Sequence, residues 1–183
     1  MSTSKTGLMF DYLDKTEEKF CTYLNRITYN RNIRLFFSVI SRLGNGVFWY
    51  VLILSLPFIY GLSALAIVIQ MVATGLVGVV IYKILKKKLV RQRPFITHCK
   101  IKLGAAPLDE YSFPSGHTLH SVCFSSVLIA YYPEWSLLLI PFTILVGLSR
   151  PILGLHYPSD VIVGAVIGWS LSTLSLFLFT QAS

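Results

Sequence analysis

Three short polar segments lie between the apolar runs of residues 43–183 and carry residues whose types and spacing suit chemistry. The first is KKKLVRQRP at residues 86–94, in which Lys86 and Arg93 would share nearly the same face of a continuing helix. Pro94 should end that helix, because the residue before a proline disfavours helical geometry. Taken alone, this segment is more typical of basic residues that flank a membrane helix.

The second segment is YSFPSGHT at residues 111–118, directly before an apolar run. Its Pro, Ser and Gly predict a turn into a helix, where free backbone N–H groups and the helix dipole favour an anion. Ser115 adds a hydroxyl donor, Gly116 permits a close backbone approach, and His117 can exchange a proton near neutral pH. An ordinary capped helix start with a surface histidine would fit the same residues.

The third segment is SRPILGLHYPSD at residues 149–160. Arg150 ends an apolar run and needs an anionic partner there. His156 precedes Asp160 on the way into the last run, so the carboxylate can accept a hydrogen bond from one imidazole nitrogen and leave the other as a free lone pair. A helix cap beside an uninvolved histidine is the plainer interpretation of this pair alone.

Considered jointly, the three segments fit one kind of ligand. They contribute three cations and a helix start, at Lys86, Arg93, Arg150, Ser115 and Gly116. These groups match a tetrahedral, multiply charged oxyanion such as phosphate, which arginine can bind through two parallel hydrogen bonds. Two histidines match a two-step transfer, in which one attacks and the other protonates the leaving group. Since no carboxylate cluster suited to Mg²⁺ accompanies them, we predict chemistry with no metal and no other cofactor.

Composition indicates what kind of chain positions these residues. Of the 183 residues, 54% are hydrophobic and 13% are charged, and the mean hydropathy is +0.65. The high apolar content excludes a disordered chain. An average soluble domain carries about 25% charged residues, about twice the fraction found here, so a water-soluble domain is strongly disfavoured. The chain is therefore predicted to be an all-α integral membrane protein.

Five apolar runs are candidates for membrane helices, each of which needs about 20 mostly apolar residues. The uncharged stretch 43–82 is long enough for two, with a break between Pro57 and Ser63. Three more runs follow, near residues 118–132, 136–153 and 161–180. We expect a helical bundle with about five transmembrane helices.

The residues before these runs differ in character. Acidic residues such as Asp11 and Asp14 interrupt any apolar run there, which argues against a secretory signal peptide. Apolar residues at helical spacing among charges predict an interfacial helical segment over residues 1–42. Residues 43–183 are predicted to form the transmembrane domain that carries the site, in a chain that is one domain overall.

The lysines and arginines fall on one face of the predicted bundle. Seven precede the first membrane helix, eight lie in residues 83–102, and the last is Arg150. The positive-inside rule would place that face in the cytoplasm, whereas anion binding would explain the cations without fixing the orientation.

Nucleic acid is a poor candidate partner, because no recognised binding motif is present. Three cysteines without a CxxC pair indicate neither a disulfide framework nor a zinc site.

The spacing Lys-x6-Arg-Pro at 86–94, Pro-Ser-Gly-His at 114–117 and Ser-Arg-x5-His-x3-Asp at 149–160 resembles the three-part signature of the type 2 phosphatidic acid phosphatase and vanadium haloperoxidase superfamily. All three parts are complete and in order. The apolar surroundings favour the membrane-bound lipid phosphatase branch, since the haloperoxidase branch is typically soluble.

The resemblance implies a role for each site residue. His156 would attack phosphorus and form a phosphohistidine, Asp160 would orient it, and His117 would protonate the leaving oxygen and then activate water. The phosphoryl oxygens would be held by Lys86, Arg93, Ser115, Gly116 and Arg150. It also implies inhibition by vanadate. If the three segments converge, a small anion should be able to bridge the imidazole of His156 and the guanidinium of Arg93.

The resemblance further implies a membrane lipid phosphate as substrate. Candidates are undecaprenyl pyrophosphate, phosphatidylglycerophosphate, phosphatidic acid and a lipid A-like glycolipid. Two alternatives are a lipid phosphotransferase that uses the same phosphohistidine and a non-catalytic binder or transporter of anionic lipids, though pure binding needs no oriented nucleophile. Many bacterial members carry the site on the outer face of the cytoplasmic membrane, which we expect here despite the positive-inside count. The oligomeric state is left open.

Packing roles are expected for other notable residues. Gly75, Gly78, Gly164 and Gly168 suit close contact between membrane helices. Trp49 is expected at a membrane boundary, where indole rings are enriched.

Overall fold

Eight α-helices follow one another within residues 5–182, the range that the computed structural model describes, and no strand occurs there. They are α1 Lys5–Arg26, α2 Arg31–Arg42, α3 Phe48–Tyr60, α4 Leu65–Lys88, α5 Pro94–Thr97, α6 Gly116–Tyr131, α7 Ser136–Ile152 and α8 Pro158–Ala182. The predicted all-α class is confirmed. Residues 1–4 of the predicted interfacial segment, and residue 183, lie outside the described range.

Local sequence explains where several helices begin and end. The side chain of Asn30 accepts hydrogen bonds from the first backbone N–H groups of α2 and so caps it. Gly61 ends α3 with a φ of 77°, a left-handed conformation that glycine adopts without strain. Arg93 is extended before Pro94, which begins α5 as its first residue.

Four helical segments are long and apolar enough to cross a bilayer: Arg31–Tyr60, Leu62–Lys88, Pro133–Ile152 and Pro158–Phe179. The remaining predicted run coincides with α6, which at 16 residues is shorter than the other four. The first span begins earlier than the sequence predicted. This is because α2 continues through a π-helical turn, Leu43–Val47, into α3.

The outer surface of the bundle is apolar, as a lipid-facing surface requires. Phe58, Leu62 and Leu137 are 90%, 80% and 87% exposed. Apolar patches of this kind are rare on soluble monomers but ordinary against hydrocarbon. Together with the four spans, they identify the chain as an integral membrane protein.

Helix α6 lies at the centre of the bundle and contacts α4, α7 and α8. Helix α8 approaches it most closely, because Gly164 and Gly168 face the carbonyl oxygens of Ser115 and Leu119 with no room for a side chain. The boundary position expected for Trp49 is wrong. Its indole is buried in the core, with its ring centroid 5.3 Å from that of Phe124.

Candidate active site

All three polar segments meet at one end of the bundle. The first follows the end of α4, the second leads into α6, and the third joins α7 to α8. Nη1 of Arg93 lies 3.3 Å from Nε2 of His156, well within the span of one small anion. Residues far apart in sequence thus form one pocket.

The position of Arg93 fixes the tautomer of His156. A guanidinium has only N–H donors, so Nε2 of His156 must accept from it and the ring proton resides on Nδ1. Arg93 is itself held by the chain, since Nη1 donates to the Leu155 carbonyl at 2.8 Å and Nε to the Asp109 carbonyl at 3.0 Å. The lone pair of Nε2 therefore faces the place where the cations converge.

Asp160 lies on the other side of the same imidazole. Its Oδ2 is 3.6 Å from Nδ1 of His156 and accepts a 2.9 Å hydrogen bond from the backbone N–H of Tyr157. Nδ1 of His156 is buried and has no hydrogen-bond partner among the described residues. The two side chains are thus neighbours whose separation is longer than a hydrogen bond.

The surroundings of His156 keep its imidazole neutral. Burial lowers the pKa of His156 well below 6.5, and the charges of Arg150, Arg93 and Lys86 lower it further. A depressed pKa means that the neutral ring, with its lone pair, persists at neutral and mildly acidic pH.

Arg150, like Arg93, is a site cation that forms no salt bridge among the described residues. Its guanidinium is buried in α7 and donates through Nη1 to the hydroxyl of Ser41 in α2, while its Nε has no partner. No carboxylate within residues 5–182 forms a salt bridge with it. A buried, unsatisfied N–H beside His156 fits a site made for an anion.

Lys86 reaches the pocket from the last turn of α4. Its Nζ lies 3.0 Å from Oδ2 of Asp109 and donates to the carbonyl of Tyr111 at 2.7 Å. Asp109 therefore contacts a site residue directly, whereas the sequence analysis gave it no part in the site. The loop before α6 is thereby tied to both Lys86 and Arg93.

Ser115 and Gly116 form the expected helix start. The side-chain oxygen of Ser115 caps α6 by accepting from the N–H of Thr118. Its backbone N–H donates to the carbonyl of Asp160 at 3.1 Å, which joins the first turn of α6 to the first turn of α8. Gly116 is the first residue of α6 and lines the cavity that opens beside it.

His117 faces a residue that the sequence reasoning missed. The side-chain oxygen of Asn45 contacts Nε2 of His117. Asn45 lies in the π-helical turn between α2 and α3, beside Gly46 with a φ of 119°. The sequence signal was Gly-Asn-Gly at 44–46 within an apolar stretch, and π-helical turns often occur at functional sites.

A cavity of about 440 Å³ extends from His117 into the apolar part of the bundle. Its polar end is formed by Asn45, Asp109, His117 and His120. Its walls come from α3 and α4 and include Trp49, Ile53, Leu54, Val72, Leu76 and Val79. Nδ1 of His120 lies 2.8 Å from the carbonyl oxygen of Gly116 and Nε2 lies 3.3 Å from that of Gly75, so this ring packs between α4 and its own helix.

Arg91 is the second functional candidate that the sequence reasoning passed over. It lies two positions before Arg93, and its side chain is fully buried against Asp160. Within residues 5–182, no group of three or more His, Cys, Asp or Glu side chains is arranged to hold a metal ion.

Comparison with known proteins finds one family model and several named phosphatases to which the chain is similar. A family model described as the PAP2 superfamily matches residues 63–182. A lipid A 1-phosphatase of Rhizobium johnstonii is 32% identical over 102 residues, which cover 54% of this chain and 42% of that protein. An undecaprenyl-diphosphatase of Sulfolobus acidocaldarius is 34% identical over 110 residues, which cover 59% and 53%. The chain thus spans about half the length of these relatives.

Two solved structures resemble the whole bundle. Aquifex aeolicus LpxE is 28% identical, with a TM-score of 0.76 over 86% of this chain and 93% of that one. A transmembrane PAP2-type phosphatidylglycerolphosphate phosphatase from Bacillus subtilis is 22% identical, with a TM-score of 0.69 over 97% and 96%. The second likeness shows a shared fold.

Proposed function

The chain belongs to the PAP2 superfamily, and from this membership and the geometry of the pocket we propose that it hydrolyses lipid phosphates or lipid pyrophosphates through a phosphohistidine. One observation carries the proposal: the lone pair of His156 faces a pocket of cations, beside an apolar cavity that begins at His117. A phosphate group suits the first part and a lipid chain suits the second.

In the first step, Nη1 of Arg93 would turn from Nε2 of His156 to a phosphoryl oxygen, and the freed Nε2 attacks phosphorus. The bond from phosphorus to the leaving oxygen breaks, and that oxygen belongs to the lipid alcohol or, in a pyrophosphate, to the lipid monophosphate. Asp160 stabilises the positive charge that develops on the imidazole, as the carboxylate of a nucleophile–base–acid triad does. His117 donates a proton to the departing lipid oxygen. Its place at the mouth of the apolar cavity puts it where that oxygen would leave.

In the second step, His117 removes a proton from water, whose oxygen attacks the phosphohistidine. The phosphorus–nitrogen bond breaks, inorganic phosphate leaves, and His156 regains its lone pair. Neither step needs a metal to generate its nucleophile, since the neutral imidazole of His156 is one already and His117 activates the water. The donor set around the pocket supports this, because it consists of cations and N–H groups.

Charge stabilisation falls to the remaining groups: Lys86, Arg93, Arg150, Ser115 and Gly116. Phosphoryl transfer depends mainly on positioning and on neutralising the equatorial oxygens. The unpaired Nε of Arg150 is the donor most clearly reserved for a ligand. Lys86 is engaged by Asp109 and would exchange that partner for substrate.

The substrate class follows from the cavity. A chamber of about 440 Å³ lined by membrane-facing helices can admit part of an acyl or polyprenyl chain from the bilayer. The relatives named for lipid A and for undecaprenyl diphosphate support the same class. Phosphatidylglycerophosphate and phosphatidic acid are the other candidates.

The test is phosphate release by the purified chain in detergent, with EDTA present and a panel of these four lipids. We expect free phosphate from at least one lipid and inhibition by vanadate. A requirement for added Mg²⁺ would contradict the mechanism. Transfer of phosphate to a second lipid without release of free phosphate would show a phosphotransferase, and binding without turnover would leave only an anion-lipid binder.

A further inference from the structure

The N-terminal helix packs one face against the loops that hold the site. Its buried or partly buried residues Asp14, Glu17 and Cys21 recur at helical spacing. This face reaches the first turn of α8, since Oε1 of Glu17 accepts the backbone N–H of Ser159 at 2.8 Å. Helix α1 therefore supplies a cap to the helix that carries Asp160.

Arg91 lies between the two helices and bonds to both. Toward α1, its Nε donates to Asp14 at 2.9 Å and its Nη2 donates to Glu17 at 2.8 Å. Toward α8, its Nη1 donates to Oγ of Ser159 at 2.7 Å and to Oδ1 of Asp160 at 2.6 Å. Every nitrogen of this guanidinium has a carboxylate partner.

We propose that Arg91, held by Asp14 and Glu17 of α1, is a positioning residue that fixes the carboxylate of Asp160 against His156. The inference rests on the proposed function, because it assigns Arg91 to the nucleophile of that reaction. Arg91 does not face the phosphate pocket, and it acts through Asp160 alone.

The orientation of Asp160 shows why a positioning residue is needed. Oδ1 is held by Arg91, and Oδ2 accepts from the N–H of Tyr157 and faces Nδ1 of His156 at 3.6 Å. With Oδ1 released, the carboxylate could rotate and lose its direction toward the imidazole. The Tyr157 ring lies 4.0 Å from the Arg91 guanidinium carbon, which further restricts that side chain.

The positions of the partner carboxylates and their negative charge both favour arginine at residue 91. Three carboxylates meet one guanidinium, whose planar fork can bond to partners in several directions. A lysine carries the charge but cannot bond to both helices in the same way. Arg91→Lys should therefore retain part of the activity and Arg91→Gln very little of it.

The test is a double-mutant cycle on turnover, with Arg91→Gln, Asp160→Asn and the combined variant. We expect Arg91→Gln to lower kcat about ten- to a hundredfold, as loss of an outer partner does at other sites, with KM nearly unchanged. In the Asp160→Asn background it should add less than about twofold, because residues that act through one another are not additive. Losses that multiply would overturn the proposal.

Glu17→Gln provides a milder variant in case Arg91→Gln does not fold. It should lower kcat in the same direction, whereas Asp11→Asn, a matched change on the exposed face of α1, should not. The thermal midpoint of each variant in detergent reports folding separately. An unchanged kcat in a folded Glu17→Gln protein would contradict the part assigned to α1.

A second readout does not depend on activity. In protein labelled with ¹⁵N-histidine, NMR should show His156 as the Nδ1–H tautomer both with and without Arg91, because Arg93 sets that tautomer. Arg91→Gln should instead move the Nδ1 resonance of His156, since Oδ2 of Asp160 lies 3.6 Å from that nitrogen. His156→Gln assigns the signal among four histidines. An unmoved Nδ1 resonance in Arg91→Gln would overturn the role of Arg91. If the unaltered chain releases phosphate from none of the lipids, the proposed function fails while this comparison still tests the positioning role.

Discussion

Two histidines at the site have different surroundings, and these surroundings assign them different tasks. His156 has cations around it, which keep the ring neutral, and the carboxylate of Asp160 beside Nδ1, which suits a nucleophile whose positive charge rises during attack. His117 lies against Asn45 and lines the apolar cavity, which is where the proposed mechanism places the leaving lipid oxygen. The two roles should therefore separate when each histidine is replaced.

Replacement of His156 by alanine should lower kcat by about 10⁴-fold or more, because the proposed mechanism forms its covalent intermediate on this residue alone. His117→Ala should slow the hydrolysis of lipid phosphates much more than that of an aryl phosphate, whose leaving group needs no proton. Phosphate release from both substrate types measures this. His98→Gln, a histidine outside the pocket, is the control. Equal losses on both substrates in His117→Ala would contradict its role as the acid.

The depressed pKa of His156 also predicts how stability depends on pH. The folded protein holds this ring neutral, whereas the unfolded chain protonates it below about pH 6.5. The unfolded state then binds more protons, so stability is lost as the pH falls, by about 1.4 kcal/mol per unit until the folded pKa is reached. The thermal midpoint between pH 7 and pH 5 should fall less in His156→Gln. An equal fall of the thermal midpoint in both proteins would exclude His156 as a source of the pH dependence.

Sequence reasoning at this scale found the cations that we propose to bind phosphate and missed the residues that hold the catalytic side chains in place. Lys86, Arg93 and Arg150 stood out because charges beside apolar runs are costly. Asn45 and Arg91 gave no such signal, since one is a neutral residue in a turn and the other looked like one more basic residue near a membrane helix. The contacts of Asn45 and Arg91 depend on which helices pack together, and the spacing of residues within one segment does not predict that packing.

Among the elements, α6 and α8 carry the parts of the site that must stay in register. The N–H of Ser115 and the carbonyl of Asp160 join their first turns, and the glycines of α8 permit the approach. The sequence suggested glycine-mediated packing, but only the structure identifies α6 as the partner. The interfacial role of α1 stays a prediction, although Tyr12 and Tyr23 are exposed on it.

Gly164→Ala should disturb both stability and catalysis. A Cβ at this position would stand 2.5 Å from the carbonyl oxygen of Ser115, so the backbone at the start of α6 must shift. Such overpacking costs about 1–3 kcal/mol. Gly147→Ala is the matched control in α7, because its Cβ would meet Val161 at an ordinary 3.6 Å. Thermal midpoints and kcat of the two variants should differ, and equal values would contradict the close contact.

At the scale of the whole molecule, the site lies at one end of a bundle whose sides face lipid. Composition predicted the membrane setting, and apolar runs predicted five of the helices, because both depend on hydrophobicity along the chain. The start of the first span was placed too late, since charges in α2 concealed a helix that continues into α3. The cavity between α3 and α4 arises from tertiary packing and has no signature in the sequence.

The side of the membrane on which the site lies can be tested with Cys99, which is exposed while Cys21 and Cys123 are buried. Cys99 follows α5 and so lies at the same end of the bundle as Arg93. For a site on the outer face, a membrane-impermeant maleimide should label this thiol in intact bacterial cells that express the chain. Cys99→Ser should abolish the signal. Labelling only after the cells are permeabilised would place the site in the cytoplasm, where the positive-inside count would put it.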